Sequence, residues 1–339
     1  MTRTTRVLLV ILALGLGALA LGGATLSYLA TPFGSPGGEP IVVSVPSGAS
    51  AKQVATLLES KGVVSKAWAF AWFLRLSGSQ NQLKAGEYAF SLPLSPTAIA
   101  RKLSRGEMNL VSVTIPEGLT LAETAKAIAS SGLAQERELI RVFGTAALVR
   151  DLDPAARDLE GYLFPETYRF AKGVSVDSIA KTIVDTFRQR FVQPEAGAIA
   201  GSGRTMRQLV TIASLVEKET AVGEERARIA GVIADRLAIN MPLQIDPTVI
   251  YARKLAGTWD GDIKRADLAW NHPYNTYVHR GLPPGPVASA GLAALQAALA
   301  PQRTGALYYV SRGDGTHEFS KTLADHSRAV RRYVLQRGR

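Results

Sequence analysis

The chain has 339 residues, 47% of them apolar and 20% charged, with a formal net charge of +11 at pH 7 and no cysteine. The apolar share excludes a disordered chain, and the length suits two or three domains. The lack of cysteine excludes disulfides, a thiol nucleophile, Cys-ligated zinc and a lipid anchor on cysteine. The basic charge points to an anionic partner, whether nucleic acid, membrane surface or acidic polymer.

In chain order, Arg3 and Arg6 precede an apolar run from Val7 to Leu29. A membrane-spanning helix needs about 20 residues, and the run exceeds the usual signal-peptide core of about 7–15. It therefore predicts an uncleaved anchor at 1–30; a signal peptide cut after Ala18-Leu19-Ala20 is the competing reading. With both arginines on its leading side, the expectation is a single-pass protein of the cell inner membrane with its body in the periplasm. Nucleic acid is not expected as a partner there, and no basic-aromatic motif argues for it. The inner membrane itself or a wall polymer suits the charge better. Residues 31–40, TPFGSPGGEP, read as a Pro/Gly linker.

An internal repeat follows. Val43-Ser-Val-Pro-Ser-Gly48, with Ser50, Ala55, Leu58, Ser60 and Gly62, matches Val113-Thr-Ile-Pro-Glu-Gly118, with Thr120, Ala125, Ile128, Ser130 and Gly132. Each copy reads as a strand, a Pro-x-Gly turn and a helix. Ser50 with Gln53 and Thr120 with Glu123 are capping-box pairs, and Gly62 and Gly132 sit where helices close. In the first copy a second helix (66–77) and a returning strand (86–90) complete a βααβ unit at 41–112. That unit resembles a LysM module, which implies binding of N-acetylglucosamine polymers; a purely structural packing module is the alternative. From 113 to 339 the pattern becomes mainly helical, so the fold class expected is α+β. Helices are predicted at 176–191, 204–219, 223–240, 292–299 and 322–336, with a hairpin of strands 308–312 and 318–319 across Gly313-Asp314-Gly315.

The stretch LVTIASLVEKETA (209–221) carries the sharpest chemical signal. Its helix is apolar along Met206, Leu209, Ile212, Ala213 and Val216, with Arg207, Thr211, Ser214 and Lys218 as the polar side. Glu217 and Glu219 fall on opposite edges of the apolar side, so they do not form a carboxylate pair. A carboxylate at such an edge loses hydration and holds its proton more tightly, as acid-catalysed glycosidic cleavage requires. Periodicity leaves open which of the two is catalytic. Acids and amides also mix with aromatics in LEGYLFPETY (159–168), LQIDPTVIY (243–251) and NHPYNTY (271–277), followed by GLPPGP (281–286). Such loops suit a sugar chain, which stacks its C–H faces and bonds through hydroxyls. The four histidines form no ligand pair, so neither metal nor cofactor is expected. Walker and GxSxG sequences are absent, and Ser178-Ile-Ala-Lys181 lacks the companion motifs of penicillin-recognising enzymes.

An anchor, a LysM-like module, LEGYLFPETY, ASLVEKET, LQIDPTVIY, YNTY and GLPPGP, in that order, resemble the endolytic murein transglycosylase family, the YceG-like proteins. One departure stands out. An Asn-Pro-Gly-like turn is expected after GLPPGP, and this chain has Ser289-Ala290-Gly291, which puts any backbone role of that turn in doubt. The resemblance implies a lytic transglycosylase that cuts nascent peptidoglycan strands at the bond from N-acetylmuramic acid to N-acetylglucosamine, with Glu217 as catalytic acid and then base, and possible penicillin-binding-protein synthase partners. Glu166, Tyr168, Gln244, Asp246, Thr248, Asn275 and Tyr277 are expected to line the glycan groove, while Glu160 could be a buried structural acid. A non-catalytic wall-binding scaffold and a lysozyme-type hydrolase are the alternative functions.

Overall fold

The two sequence repeats build the same local structure twice. In the computed structural model the described residues are 23, 27–37 and 40–335. The expected anchor at 1–30 falls mostly outside them, and among the described residues no helix is long and apolar enough to cross a membrane. The chain divides into two compact units, residues 1–111 with 169–174, and residues 112–168 with 175–339.

In the first unit, strand β1 (Ile41–Val45) leads into helices α1 (Ala51–Ser60) and α2 (Ala67–Leu76), and β2 (Gly86–Phe90) returns antiparallel to β1 with Val43 opposite Tyr88. Alternate strand residues Val43, Val45, Tyr88 and Phe90 point inward, as a period of two requires, and meet Leu58, Phe70 and Leu74 from the helices. The sequence reading missed a third helix, α3 (Pro96–Arg105), which supplies Ile99 and Leu103 to this core. Its signals are Ser95 as N-cap, Pro96 in the first turn and Gly106 in the left-handed region, at φ 72°.

The second copy reads β3 (Leu110–Thr114), α4 (Leu121–Ser130) and α5 (Glu136–Phe143), then β4 (Thr167–Ala171), which pairs with β3. The strand-helix-helix-strand order is thus repeated, with residues 144–166 inserted before the returning strand. Both capping boxes form: Ser50 N–H donates to Gln53 Oε1 at 2.8 Å, and Thr120 N–H to Glu123 Oε2 at 2.9 Å. Gly62 and Gly132 close their helices at φ 73° and 76°, backbone that a side chain resists.

The rest of the second unit is mostly helical: α6 (Val176–Phe187), α7 (Ala196–Gly201), α8 (Met206–Glu219), α9 (Arg226–Ala238), α10 (Asp246–Leu255), α11 (Arg265–Leu268), α12 (Leu292–Leu299) and α13 (Leu323–Val330), with the hairpin β5 (Tyr308–Ser311) and β6 (His317–Ser320) before the last helix. Helix α10 begins inside LQIDPTVIY, which reads as a loop in sequence. Proline there starts a helix because its missing N–H falls among the unpaired first-turn groups.

Helix α8 lies at the centre, packed by α9, α10 and α12. The expected polar side of α8 is not solvated: Thr211 and Ser214 are buried. The reason is the GLPPGPV segment, which lies over that side. Val287 N–H donates to Ser214 Oγ at 3.1 Å, and Arg207 donates to the Pro284 carbonyl at 2.7 Å. Ser214 returns its own hydroxyl proton to the Thr211 carbonyl.

Helix α9 approaches the chain at 302 closely. A methyl group on Gly231 would come within 2.1 Å of the Gln302 carbonyl oxygen. Gly231→Ala would ordinarily gain about 1 kcal/mol of helix propensity. Here it is expected to lower unfolding free energy by about 1–3 kcal/mol through overpacking against backbone. Denaturant unfolding of the two proteins measures the sign.

Candidate active site

The last turn of α8 carries the acidic pair, and the helix ends where Thr220 turns extended, at φ −146° and ψ 135°. Glu217 is held there with 7% of its side chain exposed. Its Oε2 accepts the Gly291 N–H at 2.9 Å, from the residue that opens α12. A guanidinium nitrogen of Arg226, the first residue of α9, lies 3.9 Å from Glu217 Oε1 and 4.0 Å from Glu117 Oε2. Both distances exceed a direct hydrogen bond. Among the described residues Arg226 Nε has no hydrogen-bond partner. Lys218, the neighbour of Glu217, donates to the Gly118 carbonyl at 3.1 Å.

Burial raises the Glu217 carboxyl above its ordinary range. The Gly291 N–H opposes the shift, Glu117 adds to it, and Arg226 and Lys218 reduce it. The result is a carboxylic acid that keeps its proton more readily than a surface glutamate.

The turn at Ser289-Ala290-Gly291 has the backbone role that its departure from the expected Asn-Pro-Gly put in doubt. Gly118 N–H donates to the Ser289 carbonyl and Ser289 N–H to the Leu119 carbonyl, each at 2.8 Å. These bonds tie it to the Pro116-Glu117-Gly118 turn of the second repeat. A methyl group at 291 would lie 1.8 Å from Glu117 Oε1, so a side chain there would displace the Glu117 carboxylate.

Glu219 faces different surroundings. It accepts the Tyr309 hydroxyl proton at 2.6 Å, and burial raises its carboxyl pKa. It shares a hollow of about 360 Å³ with Arg236, Gln244, Asp246, Tyr277, Tyr308 and His326. Tyr277 donates to Asp246 at 2.5 Å. Gln244 occupies the left-handed region at φ 49°, a conformation that costs a non-glycine residue of order 1 kcal/mol and gathers at functional sites.

Of the residues expected to line a groove, the structure brings Gln244, Asp246 and Tyr277 together. Thr248 and Asn275 lie buried behind them. Thr248 donates to the Ile245 carbonyl, and Asn275 Nδ2 donates to the carbonyls of Asp267, Leu268 and Trp270. Glu166 pairs with Arg190 at 3.0 Å, and Tyr168 is buried with its hydroxyl donating to the Phe164 carbonyl. Glu217 is not among the residues lining the hollow beside Glu219. Among the described residues no group of His, Asp and Glu could hold a metal ion.

Sequence reasoning missed Glu117 and Arg226. The signal for Glu117 lay in the repeat, where the Pro-x-Gly turn has Ser47 in the first copy and an acid in the second. Arg226 carried no signal, because arginine at the start of a charged helix normally faces water.

Glu160 is the buried acid that the sequence offered as an alternative role. Both of its oxygens accept the Leu121 N–H at 3.0 Å, at the start of α4, and Tyr251 donates to it at 3.1 Å. Burial nonetheless pushes its pKa up to about 8, from 4.5. A carboxyl whose folded pKa is raised contributes stability that is complete below the unfolded value and lost as pH rises through the folded one. The melting temperature is therefore expected to fall between about pH 4.5 and 8, and to fall less steeply in Glu160→Gln. Equal slopes in the two proteins would contradict this assignment.

Comparison with known proteins adds a separate line. The profile of the YceG-like family matches residues 43–332. A Bacillus subtilis (strain 168) protein named endolytic murein transglycosylase is 32% identical over 334 residues, covering 93% of this chain and 91% of its own length. A Streptococcus pneumoniae (strain D39) protein of the same name is 31% identical, over 87% of this chain and 58% of its own. The 2.6 Å crystal structure of a YceG-like protein from Listeria monocytogenes superposes with a TM-score of 0.59 at 30% identity, covering 86% of this chain and 99% of that one.

Proposed function

We propose that this chain, which belongs to the YceG-like family, is a peptidoglycan lytic transglycosylase in which Glu217 serves as acid and then as base. The observation that carries the reading is the Glu217 carboxyl itself, buried at the end of an apolar helix and held at one oxygen by a backbone N–H. The names of the relatives support the substrate class.

The Gly291 N–H occupies Oε2, so the proton belongs on Oε1, since an oxygen that accepts a hydrogen bond is best left unprotonated. In the first step Glu217 gives that proton to the oxygen linking N-acetylmuramic acid to N-acetylglucosamine. The bond from the muramyl anomeric carbon to that oxygen breaks, and the departing sugar keeps the oxygen as its 4-hydroxyl. In the second step the muramyl C6 hydroxyl oxygen bonds to the anomeric carbon and its proton returns to Glu217. The product end is a 1,6-anhydromuramyl sugar. No water is consumed, so the cycle closes on a single acid-base group.

The hollow beside Glu219 suits a neighbouring stretch of glycan. Gln244, Asp246 and Tyr277 offer amide, carboxylate and hydroxyl partners for sugar hydroxyls, while Thr248 and Asn275 hold the loops that carry them. The apolar run at Val7–Leu29 would tether the body on the outer side of the cytoplasmic membrane, beside growing strands and the synthases that extend them.

Mass spectrometry of digested, uncrosslinked peptidoglycan tests the reading. Glu217→Gln is expected to lower formation of anhydromuramyl ends at least about 10²-fold, the scale of a lost general acid. Glu219→Gln should retain cleavage. Undiminished anhydro-ends in Glu217→Gln would remove Glu217 from the chemistry. Reducing ends from the parent protein would mark a hydrolase, and no cleavage at all a wall-binding scaffold.

A further inference from the structure

We propose that Glu117 is a positioning residue of this site, a second carboxylate placed to keep the proton on Glu217, with Arg226 as the opposing charge. The inference rests on the reading of Glu217 as the acid and adds to it a residue from the other side of the site.

The geometry is specific. Glu117 stands on the Pro116-Glu117-Gly118 turn, and that turn is bonded to the 289–291 turn that donates to Glu217. The Glu117 carboxylate fills the space in front of Gly291 where any side chain would stand. One Arg226 guanidinium faces both acids, at 3.9 and 4.0 Å, and is bonded to neither. Only 7% of the Glu217 side chain is exposed, against 51% of that of Glu117. The exposed acid therefore keeps its hydration, and its charge acts on the buried one.

The groups facing Glu217 are Glu117 from the second repeat, Arg226 from α9, the Gly291 N–H from α12 and Lys218 from its own helix. A like charge disfavours ionisation and an opposite charge favours it. Glu117 thus acts to hold the proton on Glu217, and Arg226 and Lys218 to release it. A group that must first donate and then accept needs this balance, because a proton held too firmly is a poor donor and one held too weakly is absent at neutral pH. The repeat that reads as a packing device thereby contributes a charge to the chemistry, at the one turn position where its copies differ between serine and glutamate.

The test is the pH profile of kcat/KM on uncrosslinked glycan for the full chain, Glu117→Gln and Arg226→Gln. Loss of Glu117 should move the descending basic limb to lower pH, with the rate on that limb about three- to tenfold lower after screening by solvent. Loss of Arg226 should move the limb to higher pH. Gly291→Ala, which displaces the Glu117 carboxylate, should resemble Glu117→Gln. Opposite shifts support the proposal; a uniform loss at every pH with the limb unmoved would mean a structural role and overturn it. A readout independent of turnover separates this from failure of the enzymatic reading. In the full chain with 13C-labelled glutamate carboxyls, the Glu217 resonance, identified by its loss in Glu217→Gln, should titrate at lower pH when Glu117 is replaced. An unmoved titration would overturn the proposal whether or not the protein cleaves glycan.

Discussion

The burial of helix α8 on every side is the constraint from which the rest follows. From Leu209 to Val216 every residue of the helix is buried, its would-be polar stripe included. Such a helix needs cover all round, and that cover comes from α9, α10, α12 and the GLPPGPV segment. Those same elements deliver the site. Helix α12 opens with the Gly291 N–H, α9 opens with Arg226, and the turn before α4 brings Glu117. An ionised carboxylate taken out of water without compensation is costly enough that such groups are paired or neutralised instead. At the end of α8 the Gly291 N–H and the charges of Arg226 and Lys218 compensate Glu217 only in part, and its carboxyl pKa is raised. Packing of the core and poising of the acid therefore come from one arrangement.

The two glutamates of the EKE sequence are separated by that arrangement. Two residues along a helix turn by about 200°, so the side chains cannot converge. Glu217 meets a backbone N–H and charged groups, while Glu219 meets the Tyr309 hydroxyl and a polar hollow. In the proposed mechanism this geometry divides the work, with proton transfer at one residue and glycan contact around the other.

Much of this was legible in the sequence where the signal is local. The repeat, its capping boxes and its closing glycines appear as read, because a capping pair and a left-handed glycine are set by neighbours three or four residues apart. Helical geometry also separated Glu217 from Glu219 before any tertiary information. Other features were not legible because they depend on distant segments. Ser214 reads as a surface residue and is buried, since its partner is 73 residues away. LQIDPTVIY reads as a loop, and a helix begins inside it at Asp246. Thr248 and Asn275 read as sugar contacts; Thr248 instead bonds the Ile245 carbonyl and the Thr276 hydroxyl, and Asn275 the carbonyls of Asp267, Leu268 and Trp270. The repeat marks Glu117 as an acid in place of Ser47, but its place beside Glu217 follows only when that turn is brought against the turn at Ser289-Ala290-Gly291.

The central claim is that one carboxyl group carries the proton out and back, with the sugar's own C6 hydroxyl as the nucleophile. Oxygen labelling reads this directly. Glycan digested by the full-length protein in water enriched in 18O is predicted to give cleavage products with no label at the new muramyl ends, because the closing oxygen comes from the sugar. One 18O atom per cut would show that water is the nucleophile and would contradict the account.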